Sequence, residues 1–567
     1  MMGRVRTTIG RRPCPEPRFI PALTDDPMPS YTFSSAFRRL LLLALTLAGF
    51  GWRAHALSAQ SLWRDEVDAI FFALRDLTET LAMAVQPGQN GVLYFLSLRP
   101  WLHAVGTSEF ALRYPSALLG VAAIPLIWQV GRRLISGKSS HSTTIVDVET
   151  NQINSSGRLP LDRELPPLMA ALFLAVNPYQ LWYAQEGKMY ALITFLALLA
   201  TWFWLDGIGR GGWRPWLLYF ATVTVAMYTH LLMILLIPLH ILWFFIAWPQ
   251  SKQHWRGYGL ALAGLTLPYL PMVVWQWDML MIPEQQTGFQ LTPPLAMLER
   301  ILMSHTRGFM TDGDGLWLAP LYFVGLAGFL LGWLEIGRPE PDELPALDSW
   351  RRHALTVSWL LAPIMFIYIM SLREPIFTVR YIIWIAPAAM LIVALGVQLV
   401  WMNGGRLRVP LTALLVAYIA GFWLYAGWEQ KTTTLKYDLR SAVTAIAGQR
   451  DPNNELLILQ IPHMEFAYRY YSSDFGPDPF GESDTRLGWW AHGLWTNHGL
   501  PDEEARADVD RQMRTVVAGA QDIWVLRSEV EMWDRRHLMD EWLDQNANLI
   551  EIESFHGTEM RHYQSKE

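Results

Sequence analysis

Cysteine is almost absent from this chain, which has one, Cys14, among 567 residues. An intramolecular disulfide and a cysteine-based metal site are therefore excluded. Charge is also scarce, because Asp, Glu, Lys and Arg make up 17% of the residues, whereas soluble globular proteins carry about 25%. The chain has no low-complexity run or solenoid-type repeat. Its C-terminal region has no Gly-rich phosphate-binding motif, so nucleotide binding is not predicted there.

Apolar residues are abundant, at 52% of the chain with 28 Trp, which is typical of a polytopic membrane protein. Apolar stretches of about 17–25 residues, the length that crosses a bilayer, recur as far as Trp428. They predict about eleven transmembrane helices. The stretches lie near residues 40–57, 113–131, 166–184, 188–205, 215–230, 231–248, 257–277, 316–334, 354–372, 381–401 and 409–428.

Three parts of this assignment have more than one interpretation. The pair 215–230 and 231–248 is too long for one span and short for two, and the turn between them would fall at residues 228–230. Residues 40–57 follow a basic leader and form either an uncleaved first span or the apolar part of a signal peptide; we favour the span. Residues 91–105 are short for a span and contain Pro100, so we expect an interfacial helix. With that helix outside the bilayer core, the loops predicted to be cytoplasmic are basic, as the positive-inside rule requires. Their basic residues are Arg132, Arg133, Lys138, Arg210, Arg214, Lys252, Arg256, Arg338, Arg351, Arg352, Arg406 and Arg408.

The topology predicts three regions along the chain. Residues 1–36 form a basic cytoplasmic tail, and residues 37–428 form the transmembrane domain, with a first outer loop over 58–112. Residues 429–567 are charged and alternate between helical and strand patterns, which predicts an extracytoplasmic α/β domain. We place helices at 439–449, 466–471 and 532–543, and strands at 456–461, 522–527, 549–554 and 559–563. The Trp residues at 489, 490 and 495 either pack in that domain or stack on sugar rings or the membrane.

Three carboxylates, Asp65, Glu66 and Asp68, follow the first apolar stretch. If that stretch spans the membrane, they lie at the outer membrane surface. Acids grouped there suggest general-base chemistry on a substrate delivered from lipid. The alternative is a solvated loop whose acids cap a helix.

Seven short motifs occur along the chain: SLWRDE at 61–66, VLYF at 92–95, FALRYPSAL at 110–118, NP at 177–178, YAQEGKMY at 183–190, YTH at 228–230 and RY at 380–381. In this order and on these predicted sides, they resemble motifs of the GT-C membrane glycosyltransferases, closest to the protein O-mannosyltransferase and lipid A aminoarabinose transferase branch. The resemblance covers roughly residues 40–430. One departure lies at residues 89–91, which read QNG where the family often has His-Pro-Pro.

The resemblance implies transfer of a sugar, of hexosyl or mannosyl type, from a polyprenyl-phosphate carrier to an acceptor hydroxyl. The reaction would occur at the extracytoplasmic face of the plasma membrane, with inversion. The family's catalytic Asp matches Asp65, which is therefore the predicted general base. Glu66 would orient the acceptor or Asp65. Asp68 shares a helical face with Asp65 and is interpreted as structural.

The departing phosphate needs cations to take its charge. Arg380 stands at an outer span entrance, where its planar guanidinium suits phosphate, although it could instead snorkel to the interface. Lys188 is the second candidate, unless it only pairs with Glu186, and Arg113 is the third. The remaining predicted substrate contacts are Glu186, Tyr190, His230 and Tyr381, where His230 could equally be a packing residue.

Sugar transfer from a lipid-linked donor needs no nucleotide site, and no cofactor is predicted. No set of His, Asp and Glu residues has metal-ligand spacing, so no metal is predicted, although a divalent ion is possible. The expected partners are the lipid-linked donor, the bilayer and an acceptor of unknown class. A lipid or solute transporter remains the alternative, because prolines interrupt several spans. A ligase of whole oligosaccharides is a third hypothesis.

Overall fold

The computed structural model describes residues 32–86, 88–134, 145–146, 153–154, 159–248, 250–277, 281, 290–309, 349–472, 486–496 and 499–566. Most of them are helical. The helices before the C-terminal region are α1 (Ser35–Ala54), α2 (Arg64–Leu74), α3 (Leu77–Ala84), α4 (Val92–Val105), α5 (Glu109–Leu134), α6 (Leu161–Val176), α7 (Pro178–Ala184), α8 (Tyr190–Arg210), α9 (Trp213–Thr229), α10 (Leu236–Ile246), α11 (Trp255–Trp275), α12 (Pro294–Arg307), α13 (Ser349–Ser371), α14 (Ala386–Asn403) and α15 (Arg408–Thr432).

Short 3₁₀ turns extend several of these helices. They cover Leu231–Leu235 before α10, Ser251–His254 before α11, Val379–Ile385 before α14 and Gly405–Leu407 before α15. The described residues also include two very short antiparallel sheets, each made of two strands of two residues. They pair β1 (Thr32–Phe33) with β4 (Leu159–Pro160) and β2 (Ile145–Val146) with β3 (Ile153–Asn154).

Seven helical segments of the described part are long and apolar enough to cross a membrane. Among them, Val379–Asn403 is mostly buried and lies at the centre of the bundle. The polytopic helical fold predicted from the sequence is confirmed, but the count of eleven spans is not. The predicted span at 316–334 lies outside the described residues.

The sequence explains one break within a predicted span and one turn between two predicted spans. The stretch at 166–184 divides into α6 and α7 at Asn177, whose side chain accepts a hydrogen bond from the Gln180 amide at 3.1 Å. Pro178 then occupies the first turn of α7, where its missing N–H costs nothing. The predicted turn between 215–230 and 231–248 falls at His230, which ends α9.

The helix α4 has 14 residues and contains Pro100. At about 1.5 Å per residue it is too short for a hydrocarbon core of about 30 Å. Its length agrees with the interfacial helix predicted at 91–105.

The C-terminal region forms a small α/β domain, as the sequence predicts. Its five-stranded sheet has the order β6-β5-β7-β9-β8. Strands β6, β5 and β7 are parallel, and β9 is antiparallel to both β7 and β8. The elements are α16 (Leu439–Gln449), β5 (Leu456–Leu459), α17 (Met464–Tyr471), β6 (Trp490–His492), α18 (Asp502–Val516), β7 (Asp522–Ser528), α19 (Val530–Trp533), α20 (Leu538–Asn546), β8 (Ala547–Phe555) and β9 (Thr558–Ser565).

Two features of the C-terminal region differ from the sequence prediction. The helix expected at 532–543 is two helices, α19 and α20, because His537 interrupts the chain in a left-handed conformation (φ 54°). The sequence patterns also miss β6 and α18. The latter is very polar, with only Ala505, Val509 and Met513 buried, so its apolar stripe is narrow.

The C-terminal domain packs on the outer loop through buried polar contacts. The Tyr471 hydroxyl accepts a hydrogen bond from the Leu62 amide and donates one to Glu109, both at 2.7 Å. Phe466 stacks on Phe71 with ring centroids 3.8 Å apart. These contacts fix the helix α2 between the membrane bundle and the C-terminal domain.

Candidate functional site

The helix α2 carries the acidic residues of the candidate site. It begins at Arg64, and its first turn contains Asp65 and Glu66. Carboxylates are favoured there because the unpaired amides of a helix N-terminus make that end partially positive. The position agrees with the helix-capping alternative, but neither acid is fully solvated. Glu66 is buried, and the Asp65 side chain is 21% exposed.

Glu66 is a buried junction between four parts of the chain. One carboxylate oxygen accepts hydrogen bonds from Arg113 Nε at 2.8 Å and the Gly187 amide at 2.7 Å. The other accepts from Arg113 Nη2 at 2.7 Å and Lys436 Nζ at 2.8 Å. Burial favours the neutral acid, yet Arg113 and Lys436 hold the pKa of Glu66 well below its usual value. Because both oxygens are fully used, this structure leaves none to orient an acceptor, and Glu66 acts as scaffold.

Arg113 holds the outer loop in place. In addition to Glu66, it donates from Nη1 to the carbonyls of Leu57 at 2.6 Å and Gln60 at 2.8 Å. Its Nη2 also donates to the Ser61 carbonyl at 2.9 Å. A guanidinium has five N–H donors, and all five are used. Arg113 therefore has no donor left for a phosphate, and the role predicted for it is replaced by a structural one.

Asp65 and Arg380, which are far apart in the sequence, lie in contact. Arg380 Nη1 donates to Asp65 Oδ2 at 3.1 Å. The guanidinium also lies over the Trp63 ring, 5.4 Å from its centroid. Burial raises the pKa of Asp65, but the nearby charges of Lys188, Arg380 and Arg64 together bring it below the usual value. Asp65 is thus ionised at neutral pH and remains partly accessible.

The turn between α7 and α8 brings Glu186 and Lys188 beside this pair. Gly187 is required there, because a Cβ atom would lie 2.4 Å from the Leu112 side chain. Glu186 is only 1% exposed, and neither carboxylate oxygen has a hydrogen-bond partner among the described residues. Its burial raises its pKa to about 7, although Lys436 partly opposes the shift. An ionised carboxylate that is buried without a partner is unfavourable. A substrate that donates a hydrogen bond to Glu186 would relieve this cost, so Glu186 is suited to a substrate contact.

Lys188 does not form the ion pair with Glu186 that the sequence suggested as an alternative. No carboxylate within the described part of the chain makes a salt bridge with its ammonium group, which lies 5.7 Å from the centroid of the Phe95 ring. Lys188 is near enough to Asp65 and Asp68 to affect both electrostatically. It is therefore a cation that a phosphate could engage.

The aromatic candidates form one side of the same site. The His230 ring lies 5.1 Å from the Tyr381 ring and 6.3 Å from the Tyr190 ring. His230 Nδ1 accepts a hydrogen bond from the Leu232 amide at 3.3 Å, and the buried Nε2 has no partner within the described residues. His230 thus caps a turn and also keeps one nitrogen available. The structure brings all four predicted substrate contacts to the same region.

Sequence reasoning missed two charged residues of this region and gave a third, Asp68, a structural role only. Asp68 was interpreted as structural, but its Oδ1 is buried without a hydrogen-bond partner, and burial raises its pKa to about 7. Its spacing of three residues from Asp65 was the available signal. Lys436 and Glu529 come from the C-terminal region and contact Glu66 and Arg64 respectively. Nothing local in their sequence marks them.

No group of three or more His, Cys, Asp or Glu side chains that could hold a metal ion is found among the residues that the structure describes.

The fold and the site together define a bundle of apolar, membrane-type helices in which the helix α2 presents carboxylates to an arginine beside an α/β domain. A scan against protein-family models and a search of curated proteins gave no match. The solved structures that match nearly the whole chain include the following two. ArnT from Cupriavidus metallidurans, bound to undecaprenyl phosphate, is 13% identical with a TM-score of 0.52, covering 93% of this chain and 98% of that one.

The second is the archaeal oligosaccharyltransferase AglB from Archaeoglobus fulgidus, in complex with an inhibitory peptide and a dolichol-phosphate. It is 11% identical with a TM-score of 0.50, covering 93% of this chain and 74% of that one. Both are GT-C superfamily glycosyltransferases. The chain is therefore an integral membrane protein with the GT-C fold, as the sequence motifs predicted.

Proposed function

We propose that this protein is a glycosyltransferase that moves a sugar, of hexosyl or mannosyl type, from a polyprenyl-phosphate donor to an acceptor hydroxyl. The observation that carries the proposal is the 3.1 Å contact between Asp65 and Arg380, with Lys188 beside it. A carboxylate that is ionised and accessible stands next to cations suited to phosphate. The fold supports the proposal, because the ArnT structure described above holds undecaprenyl phosphate and the AglB structure holds a dolichol-phosphate.

In the proposed reaction, Asp65 removes the proton from the acceptor hydroxyl. The acceptor oxygen forms a bond to the anomeric carbon of the donor, and the bond from that carbon to the phosphate oxygen breaks. The lipid phosphate leaves with the bonding electron pair. Because the base and the leaving group lie on opposite faces of the sugar, the anomeric configuration inverts.

Arg380 and Lys188 stabilise the leaving phosphate, whose negative charge grows as the bond breaks. In the present structure Arg380 is bound to Asp65. When the donor binds, Arg380 would donate hydrogen bonds to its phosphate instead of to Asp65. Asp65 would then be free to accept the proton of the acceptor hydroxyl. Glu186, Tyr190, His230 and Tyr381 surround the same space and would contact the donor sugar.

The proposed setting is the extracytoplasmic face of the plasma membrane, with residues 1–36 in the cytoplasm. Residues 37–428 form the transmembrane domain and residues 429–567 the outer α/β domain. This orientation follows from the basic loops predicted to be cytoplasmic. The fold comparison gives no support to the transporter alternative.

The proposal is tested with Asp65→Asn in membranes supplied with a panel of radiolabelled polyprenyl-phospho-sugars. Removing a general base lowers the rate by roughly 10²- to 10⁴-fold, so we expect turnover to fall in that range while donor binding persists. The control is Glu79→Gln, which removes an acid whose side chain is 65% exposed on the neighbouring helix α3. Full transfer activity in Asp65→Asn would show that Asp65 is not the general base. Donor lipid that crosses the bilayer unchanged would favour a transporter.

A further inference from the structure

The three parallel strands of the C-terminal sheet end at one edge, next to the catalytic helix α2. Glu529 follows β7 directly, and its Oε2 lies 3.2 Å from Arg64 Nη2. His463, which lies between β5 and α17, is within electrostatic range of both Arg64 and Asp65. The carboxyl ends of these strands are therefore neighbours of the proposed general base.

The strand order places a topological switch point at this edge. From β5 the chain continues to β6 on one side, whereas from β7 it continues toward β8 and β9 on the other. Adjacent strands whose connections leave in opposite directions open a crevice at their carboxyl ends, and open α/β sheets bind their ligands there. Here Gln460 follows β5 and Glu529 follows β7.

One buried polar side chain at this edge lacks hydrogen-bond partners, and one residue has a strained backbone. Gln460 is fully buried, and neither its amide oxygen nor its amide nitrogen has a hydrogen-bond partner among the described residues. Buried amides are nearly always satisfied, so a pair of unused groups calls for a ligand. Glu529 adopts a left-handed backbone (φ 51°), a strained conformation for a residue other than glycine and one that is frequent at functional sites.

The exposed side of the edge adds two imidazoles and an aromatic ring. His463 and His492 are exposed, and neither ring makes a hydrogen bond within the described part of the chain. Trp490 is half-buried and meets His492 edge to face, with ring centroids 4.6 Å apart. These side chains offer both hydrogen-bond donors and acceptors together with a flat apolar surface.

We propose that Gln460, His463, Trp490, His492 and Glu529 form an acceptor crevice that binds a neutral glycoside and directs one of its hydroxyls to Asp65. The proposal rests on the proposed function and names its acceptor class. Amide, imidazole and carboxylate groups bind sugar hydroxyls as both donors and acceptors, and an indole packs on the apolar face of a sugar ring. Glu529 and Asp65 are close enough to repel each other electrostatically, and these two carboxylates disfavour an anionic acceptor.

The test uses the full chain in detergent, with methyl α-mannopyranoside and methyl β-glucopyranoside as probes. Saturation-transfer NMR reports binding, and label transfer from the donor reports activity. The variants are Gln460→Leu, which keeps side-chain size and removes unpartnered polar atoms, and Glu529→Gln. Gln449→Leu, at an exposed position at the end of α16, is the matched control.

We expect wild type and Gln449→Leu to bind at least one glycoside. Losing a single hydrogen bond weakens binding by about tenfold, so Gln460→Leu and Glu529→Gln should raise the KM for the glycoside by about that factor. In Gln460→Leu, the KM for the donor and the slow donor hydrolysis without acceptor should not change. A merely structural effect on the site would alter both.

The two proposals fail in different ways. If wild type binds neither glycoside, or if both variants bind as wild type does, the acceptor crevice is overturned, even where the enzyme transfers sugar to a peptide or lipid. If the crevice binds glycosides and Gln460→Leu abolishes that binding, but no donor is ever turned over, the crevice stands and the glycosyltransferase proposal fails.

Discussion

At the scale of single residues, three carboxylates on one helix have three different environments. Glu66 is surrounded by donors, Asp65 shares one guanidinium, and Asp68 keeps a buried oxygen without a hydrogen bond. Their pKa values therefore diverge, with Asp65 and Glu66 lowered and Asp68 raised. Such divergence lets neighbouring acids take different roles.

The role of Arg380 can be tested by substitution. A hydrogen bond to a charged group contributes about 1.5–3 kcal/mol, so Arg380→Ala should raise the KM for the donor by roughly 10- to 100-fold. Arg380→Lys should recover part of the loss, because it restores the charge without the planar fork. Initial rates against donor concentration measure both. Arg373→Ala, at an exposed position in the same loop, is the control, and an unchanged donor KM in Arg380→Ala would exclude Arg380 from the site.

Asp68 and Glu186 should make stability depend on pH. Burial raises the pKa of each to about 7, whereas in the unfolded chain they titrate near 4. Between these values the folded protein holds more protons than the unfolded chain, so the free energy of unfolding falls as pH rises from about 4 to about 7. The slope is at most about 1.4 kcal/mol per pH unit for each group. Denaturant midpoints across this range measure it.

The variants Asp68→Asn and Glu186→Gln should each reduce that slope. Asp76→Asn is the control, because Asp76 is exposed and its pKa is lowered by hydrogen bonds with Thr78, so its charge does not change in this range. An unaltered slope in both buried-acid variants would mean that these groups stay ionised in the folded protein. Asp65 and Glu66, with lowered pKa values, lose their stabilising effect only at more acidic pH.

At the scale of elements, α2 is held by side chains from distant segments. Arg113 from α5, Gly187 from the turn after α7 and Lys436 before α16 all bond to Glu66. The local sequence shows the acidic cluster of α2 and, in one of two interpretations, a helix that the acids cap. The orientation of α2 depends on this buried junction, which no local pattern displays.

Breaking the junction should destabilise the protein. Arg113→Met leaves the Glu66 carboxylate buried with one fewer charged partner, and removing one member of a buried ion pair costs about 3–5 kcal/mol. Arg506→Met removes an exposed pair with Glu541 and should change stability by about 1 kcal/mol or less. Denaturant midpoints in detergent compare the two. Wild-type stability combined with weakened donor binding in Arg113→Met would restore the phosphate role for Arg113.

At the scale of the whole molecule, the proposed mechanism requires that the outer loop and the C-terminal domain share one side of the membrane. The contacts of Tyr471 with the outer loop and of Lys436 with Glu66 place them together. Which side that is follows from the positive-inside rule alone.

Cysteine labelling tests which side of the membrane the outer loop occupies. Gly91 would be a poor position, because its φ of 85° is strained for any side chain and a Cβ would lie 2.5 Å from Met189. In a Cys14→Ser background, Val105→Cys should react with an impermeant maleimide in intact cells. Leu407→Cys, on a loop predicted to be cytoplasmic, should react only after permeabilisation. Both positions are exposed, at 47% and 61%. The reverse pattern would invert the proposed topology.

The sequence by itself determined the helical membrane architecture, the turn at His230 and most strands of the C-terminal sheet. These features depend on local apolar runs, caps and alternation, which act over a few residues. Only the tertiary structure joined Asp65 to Arg380, used up Arg113 in the scaffold and brought Lys436 and Glu529 to the site. Pairing and burial depend on segments hundreds of residues apart, so the charges that define the candidate site could not be assigned from their neighbours in the chain.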